Sequence, residues 1–425
     1  MIFRQSLNNK IFVTLIVAFL LGGSIIHFLD LGIGSLKSAH TKLCNLMLES
    51  TLENLNWSHT PKENNSQTVT SSTAVASVVL PHSTTMTFSN TVVDCKESPY
   101  IECFPPNPKP KPGKIFRLGI LRKPRWMTKA ELDITGCQIK QCVVEDVTNE
   151  TEIVVIHGEY LRDYYSGPQR MPHQIYAIQV AEAPFLTHSD YVAKASSALN
   201  RRINLIITYR HHRGFFNPYQ RLQFHPKPLK ERSNYYKIAK AKTKTAMWLV
   251  SHCDTQSQRE RYVKEMQKYV DIDIFGKCGK PCPRNNKTCN ALLSTYKFYL
   301  AFENSLCKGY ITEKFFRWFH EDLFVIPVVR GGADYDNNFP NSTYINAAHF
   351  ATPKDLALHL KHLAADLETY SKLLEYKDLY REAPFVSFAC KICIYAHTHD
   401  VPEPSETVNL TSFLGYEQCH EPTDL

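Results

Sequence analysis

Long runs of like charge are missing from this sequence. No block of five or six basic residues occurs, which excludes a nucleic-acid-binding tail. No internal repeat recurs at a fixed short period, so nothing supports a repeat architecture. Glycine is sparse, at 16 residues in 425. The 13 cysteines are too few for a disulfide miniprotein and too many for a typical cytosolic enzyme. What is present is a chain with 43% hydrophobic and 12% aromatic residues, which rules out wholesale disorder. The 49 Lys and Arg against 41 Asp and Glu give a formal charge of +8, mild for this length. At about 150 residues per domain the chain has room for two or three domains.

Residues 11–29 form a 19-residue apolar run, IFVTLIVAFLLGGSIIHFL. That is long enough to span about 30 Å of hydrocarbon as a helix. A cleaved signal peptide has a shorter apolar core and a small-residue cleavage site, so the run reads as an uncleaved signal-anchor. Arg4 and Lys10 precede it and Asp30 follows. The positive-inside rule then puts residues 1–10 in the cytosol and the rest in the lumen, a single-pass type II membrane protein. Six Asn-X-Ser/Thr sequons agree with that topology, at Asn56, Asn64, Asn149, Asn286, Asn341 and Asn409. Residues 30–114 include a Ser-, Thr- and Asn-rich stretch followed by PPNPKPKPGK, and read as a stem.

Beyond residue 115, short apolar runs alternate with amphipathic segments. IVVIH (153–157), IYAIQVA (175–181), INLIITY (203–209), AMWLVSH (246–252), DIDIFGK (271–277), KFYLAFE (297–303) and FVIPVV (324–329) read as buried strands. Segments 257–270, 309–323 and 353–376 have helical periodicity. Strands alternating with helices predict an α/β fold with parallel sheets and right-handed crossovers. The Pro- and Lys-rich segment 223–244 divides two such sets, an N-terminal domain over 115–225 and a C-terminal one over 240–389. They read as doubly wound domains facing a cleft, with 390–425 as a disulfide-bearing tail.

Cys390-Lys-Ile-Cys393 is a C-x-x-C pair, and Cys137 and Cys142 form a second close pair. Structural disulfides suit them better than zinc or a redox site, given the lumenal topology. Cys253, Cys278, Cys282, Cys289 and Cys307 form another cluster. The odd total leaves one cysteine over, and Cys44 beside the anchor is a candidate for a homodimer contact. His211 and His212 have no carboxylate partner at ligand spacing and read as loop histidines rather than a metal site.

The densest segment runs from Tyr296 to Arg330 as strand, loop, helix and strand. Glu303 and Asn304 fall at the strand's carboxyl end, where open α/β sheets bind ligands. Tyr310, Glu313 and Lys314 are spaced i, i+3, i+4 and would share one helix face. Such a trio suits a nucleoside diphosphate: a carboxylate for ribose hydroxyls, a lysine and helix amides for phosphate. A solvated helix face with an ordinary charge pair accounts for the spacing equally well.

FYLAFENSLCKGYITEKFF (298–316) resembles the signature of the α-1,3-fucosyltransferases, enzymes that use GDP-L-fucose. The resemblance covers most of residues 137–393. It includes ITGC (134–137), the Glu182 segment, TYR and PY (208–210, 218–219), WLVSHC, Arg259-x-x-Tyr262 and the C-x-x-C at 390. It implies a GT-B fold of two Rossmann-like domains, a Golgi membrane location and glycoprotein glycans as acceptors. The loop CGKPC is similar to that of invertebrate members. Carried over by position, it implies Lys314 and Arg259 on the diphosphate, and Glu313 and Tyr310 at the ribose. Tyr219, Ser251, Tyr299 and Asn304 would complete the donor site, and Glu182 would be the general base. His252 stands where the family often has Asn and is left out. The C-terminal cysteine pair would tie back to Cys137 and Cys142. No obligatory cofactor and no metal ligand is assigned, with Mn2+ at most a stimulant. The rival readings are another nucleotide-sugar transferase and an inactive glycan-binding protein.

Overall fold

The apolar runs become strands because they are short, rich in β-branched and aromatic residues, and bounded by turn formers. The computed structural model describes residues 98–102, 107–121, 123–124, 127–158, 170–184, 202–211, 214–225, 232–281, 292–320, 323–410 and 418–425. All belong to one compact unit, residues 91–425.

In chain order the strands are β1 (Ile101–Glu102), β2 (Phe116–Leu121), β3 (Cys142–Glu145), β4 (Ile153–His157), β5 (Ile175–Val180), β6 (Leu205–Thr208) and β7 (Phe215–Phe216). They continue with β8 (Leu222–Phe224), β9 (Lys244–Leu249), β10 (Ile272–Phe275), β11 (Tyr296–Phe302), β12 (Ile326–Arg330), β13 (Ile345–Asn346) and β14 (Tyr380–Glu382). The helices are α1 (Lys129–Leu132), α2 (Tyr235–Ala241), α3 (Arg259–Met266), α4 (Glu313–Phe316), α5 (Pro353–Ala365), α6 (Leu367–Lys377) and α7 (Phe388–Thr398).

A six-stranded parallel sheet has the order β3-β2-β4-β5-β6-β7, and a five-stranded parallel sheet the order β10-β9-β11-β12-β13. In both, the second strand lies outside the first and the third on its other side, so the winding direction reverses there. That reversal is the topological switch point of a doubly wound sheet. Every residue of β4, β5, β6 and β11 is buried, as parallel strands covered on both faces must be.

A third sheet, β1-β8-β14, was not legible as strands. In it β1 runs parallel and β14 antiparallel to β8. It corrects the stem expected over 30–114. Ile101 and Glu102 pair with Leu222 and Gln223, and Tyr100 and Ile101 lie in the core that backs the second sheet. The Pro-rich segment is also held, since Lys111 N–H donates to His397 Nδ1 at 3.1 Å. The type II membrane topology is corrected as well, and with it the Golgi membrane placement and signal-anchor. No helix among the described residues is long and apolar enough to cross a membrane. The apolar run at 11–29, the tail 1–10, Cys44, Asn56, Asn64 and Asn286 lie outside the described residues. Asn149, Asn341 and Asn409 are exposed.

Helical periodicity over 353–376 implies one helix, but the chain breaks it at Asp366. That carboxylate accepts the Thr369 N–H at 3.0 Å and its hydroxyl at 2.6 Å, capping a second helix. Local side-chain bonding here wins over propensity.

Helix α7 carries the chain back from the second sheet to the first. Its Phe388, Ile392, Cys393 and Ala396 join the core formed by Phe116, Ile153 and Val155. Two disulfides fasten it, Cys137–Cys390 and Cys142–Cys393, closing loops of 253 and 251 residues. Two further bridges are Cys253–Cys278 and Cys307–Cys419. Because the two long loops nearly coincide, either bridge alone removes most of the unfolded-chain entropy. Replacing both Cys390 and Cys393 by Ser should cost about 2–5 kcal/mol in denaturant melts. Each single variant should cost well under half of that, and additive losses would contradict the shared-loop account.

Candidate active site

The second sheet reverses direction between β9 and β11, and their carboxyl ends present Ser251 and His252 on one side and Glu303 and Asn304 on the other. Glu303 is the centre of this region. It is fully buried. Its Oε1 accepts the Thr312 backbone N–H at 2.8 Å, and the Thr312 hydroxyl lies 2.9 Å from both carboxylate oxygens. Lys314 Nζ stands 3.2 Å from Glu303 Oε2, 3.3 Å from Glu313 Oε1 and 2.8 Å from the Thr312 hydroxyl. Burial pushes the Glu303 carboxyl above its ordinary range, against the pull of Lys314 and Thr312. For Lys314, burial works downward, but Glu303 and Glu313 prevail and hold the ammonium above the usual lysine value. It stays charged.

Arg259 opens α3 and is buried, donating from Nη1 to the Phe302 carbonyl at 2.7 Å. Its guanidinium lies 5.6 Å from the Trp248 ring. Burial lowers its affinity for the proton, and Glu303 opposes that. Arg259 Nε, Asn304 Oδ1 and Ser305 Oγ are buried without a hydrogen-bond partner among the described residues. Leaving such groups unpaired costs roughly 1–3 kcal/mol each.

From the first sheet, Glu182 follows β5 and is exposed. Its Oε2 accepts the Tyr310 hydroxyl at 2.8 Å, bringing the carboxyl end of that sheet to the loop after β11. Tyr310 is buried against Tyr209, with ring centroids 5.1 Å apart, and against Tyr219 at 6.3 Å. Burial, then Tyr219 and Glu182, hold its hydroxyl well above the ordinary tyrosine range, so it stays a donor. Tyr219 donates to the Ala181 carbonyl at 2.9 Å, bracing the backbone beside Glu182.

Tyr310, Glu313 and Lys314 do not share a helix face. The helix begins at Glu313 with Thr312 as its cap and lasts four residues before a 3-10 turn, Arg317–Phe319. Tyr310 lies before it and turns to Glu182, while Lys314 turns to Glu303. So short a helix adds little dipole, and the positive charge here comes from side chains. Tyr299 is a core residue whose ring lies tilted against Trp318 at 4.0 Å, its hydroxyl 3.4 Å from the Leu249 carbonyl. Ser251 is exposed, and the Glu313 side chain is 62% exposed.

Sequence reasoning missed the work of Glu303 and Thr312. An acid ending a wholly apolar strand, and a Thr just before a Glu-Lys helix start, were the available signals. It also passed over two Asp-x-Asp triplets, 271–273 and 334–336. Asp273 is engaged by Tyr296 and Lys280, and Asp336 by Tyr344, Asn346 and His349. Among the described residues, the one grouping at metal-ligand distances is Cys142, Cys393 and His397, and its two sulfurs are joined in a disulfide.

Cationic and orphaned polar groups gather at the switch point of a parallel sheet, the place where doubly wound α/β proteins bind their ligands. Residues 239–411 match the family model "Glycosyltransferase family 10 (fucosyltransferase) C-term". The family these findings support is glycosyltransferase family 10, the fucosyltransferases. The chain is 30% identical over 288 residues to glycoprotein 3-alpha-L-fucosyltransferase A of Drosophila melanogaster, covering 65% of this chain and 55% of that protein. It is 35% identical over 250 residues to alpha-(1,3)-fucosyltransferase C of the same organism, covering 54% and 56%. The chain thus spans about half the length of these curated relatives. A crystal structure of an α1,3-fucosyltransferase with GDP-fucose aligns at 17% identity and a TM-score of 0.44, over 70% of this chain and 96% of that one.

Glu303→Ala should cost about 3–5 kcal/mol of stability, because it strands Lys314 and frees the Thr312 cap. Thr312→Val should cost about 0.5–2 kcal/mol. Thermal melts of both check this, and a neutral Glu303→Ala would show that the carboxylate does not hold the loop.

Proposed function

We propose that this chain is an inverting α-1,3-fucosyltransferase. It would move L-fucose from GDP-β-L-fucose to a GlcNAc hydroxyl of a glycoprotein glycan, either the core GlcNAc or an outer LacNAc or LacdiNAc unit. The observation that carries the reading is the 2.8 Å contact between Glu182 and Tyr310. It sets an exposed carboxylate of the first sheet against the loop that follows the switch point of the second. A carboxylate there suits a general base, and the cations a leaving nucleotide.

In the reaction, the acceptor oxygen attacks the fucose anomeric carbon from the face opposite GDP. The new C–O bond forms as the bond to the β-phosphate oxygen breaks, and inversion turns the β-linked donor into an α-linked product. Glu182 takes the acceptor's proton, and GDP leaves with the bonding electrons. Tyr310, held protonated by burial, orients the carboxylate through the oxygen it occupies. Lys314 and Arg259 stabilise the negative charge that grows on the departing diphosphate. Asn304 Oδ1 and Arg259 Nε would find in the donor the partners they lack among the described residues. Glu313 and Tyr219 complete the donor side, with Ser251 at the rim. With Lys314 and Arg259 to meet the diphosphate, Mn2+ would be a stimulant at most.

Glu182→Gln should lower kcat by about 10²–10⁴-fold with little change in GDP affinity. Near-normal turnover would remove Glu182 as the base. Lys314→Ala should weaken GDP binding about tenfold or more in calorimetry, as loss of a charge-assisted contact does. Unchanged affinity would remove Lys314 from the phosphate site.

A further inference from the structure

The segment 418–425 lies beyond the residues matched by the family model and returns to the switch point of the second sheet. Cys419 is bonded to Cys307, three residues after Asn304. On either side of that bridge, Lys308 N–H donates to the Gln418 carbonyl at 2.8 Å and His420 N–H to the Leu306 carbonyl at 3.0 Å. The Gln256 side chain joins both strands of this ladder, donating to the His420 carbonyl at 2.8 Å and accepting from Leu306 N–H at 2.9 Å. Gly332 lies beneath, where a Cβ would come within 2.6 Å of the Leu306–Cys307 backbone. The Gly332 backbone thus packs closely against Leu306 and Cys307.

Further along, Asp424 takes a two-pronged hydrogen bond from Arg330, at 2.7 Å to Nε and 2.6 Å to Nη2. Arg330 is 3% exposed, and its guanidinium lies 4.5 Å from the Tyr262 ring. Its third arm, Nη1, donates to the Ser257 carbonyl at 2.8 Å. Ser257 in turn donates its hydroxyl to the Glu303 carbonyl at 2.7 Å and its N–H to the Asn304 carbonyl at 3.2 Å. The Arg330 carbonyl accepts Glu303 N–H at 2.9 Å. Arg330 therefore joins three pieces of chain: the end of β12, the turn leading into Arg259, and the Glu303–Asn304 step. Removing Asp424 leaves a buried guanidinium with two unpaired donors, a costly state that the surrounding backbone must move to relieve.

We infer that segment 418–425 is a positioning element of the donor site. Through the Cys307–Cys419 bond and the Asp424–Arg330 pair it fixes the loop 303–310 against the turn 256–259, which sets Asn304, Tyr310 and Arg259 in register. The inference rests on the donor-site reading above. It assigns no contact with substrate to the segment itself. Asp424 and Cys419 act through Arg330 and Cys307.

The test is calorimetric titration of GDP into the full chain, with donor and acceptor KM measured alongside. The variants are Cys419→Ser, Asp424→Asn and Asp424→Glu, all studied well below their melting temperatures. Asp424→Asn keeps the disulfide and serves where Cys419→Ser fails to fold. The GDP Kd and the donor KM should rise about tenfold in Cys419→Ser and Asp424→Asn, as a displaced binding group entails. The acceptor KM should hold, and Asp424→Glu, which keeps the two-pronged pair, should recover most of the affinity. Variants that melt earlier yet bind GDP like the parent overturn the inference, leaving the segment a brace for stability alone. A parent chain that does not bind GDP overturns the donor-site reading and this inference together.

Discussion

One buried carboxylate organises the second sheet's working edge. Glu303 ends a strand whose seven residues are all buried, so its charge has no route to water and must be met by the protein. Thr312 meets it with backbone and hydroxyl, and Lys314 with an ammonium. The eight residues between Glu303 and Thr312 are thereby closed into a loop whose two ends share one side chain. Within that loop stand Asn304, Ser305 and Tyr310. Their positions follow from an electrostatic requirement at the loop's base.

The same requirement explains why the cations are where they are. Lys314 is drawn inward by Glu303, and Arg259 is fixed by the Phe302 carbonyl one residue before it. Lys314 lies between Glu303 and Glu313, while Arg259 Nε has no hydrogen-bond partner among the described residues. Both cations stand at a topological switch point, where open α/β sheets bind ligands, and the Tyr310–Glu182 contact ties that point to the other sheet.

Much of the fold was legible because burial on both faces writes itself as unbroken apolar runs. IVVIH is β4 residue for residue, IYAIQVA contains all of β5, and KFYLAFE contains all of β11 but its first residue. Strands that are two or three residues long, such as β1, β8 and β14, have no such period and were not seen. The helix over 309–323 shrank because Thr312 caps it late and the 3-10 turn ends it early, which removed the shared face of Tyr310 and Lys314. The residues around the site were nameable through a resemblance, but their connections were not. The ties of Arg330 to Asp424 and of Cys307 to Cys419 span 94 and 112 residues, beyond the reach of any local pattern.

The most direct test of the account is a transfer assay with labelled GDP-fucose and a panel of defined N-glycan acceptors, followed by linkage analysis of the product. The account predicts label on O3 of a GlcNAc in the α configuration, with no transfer when a UDP-sugar replaces the donor. Label that never leaves GDP-fucose, or transfer from a UDP-sugar instead, would contradict it.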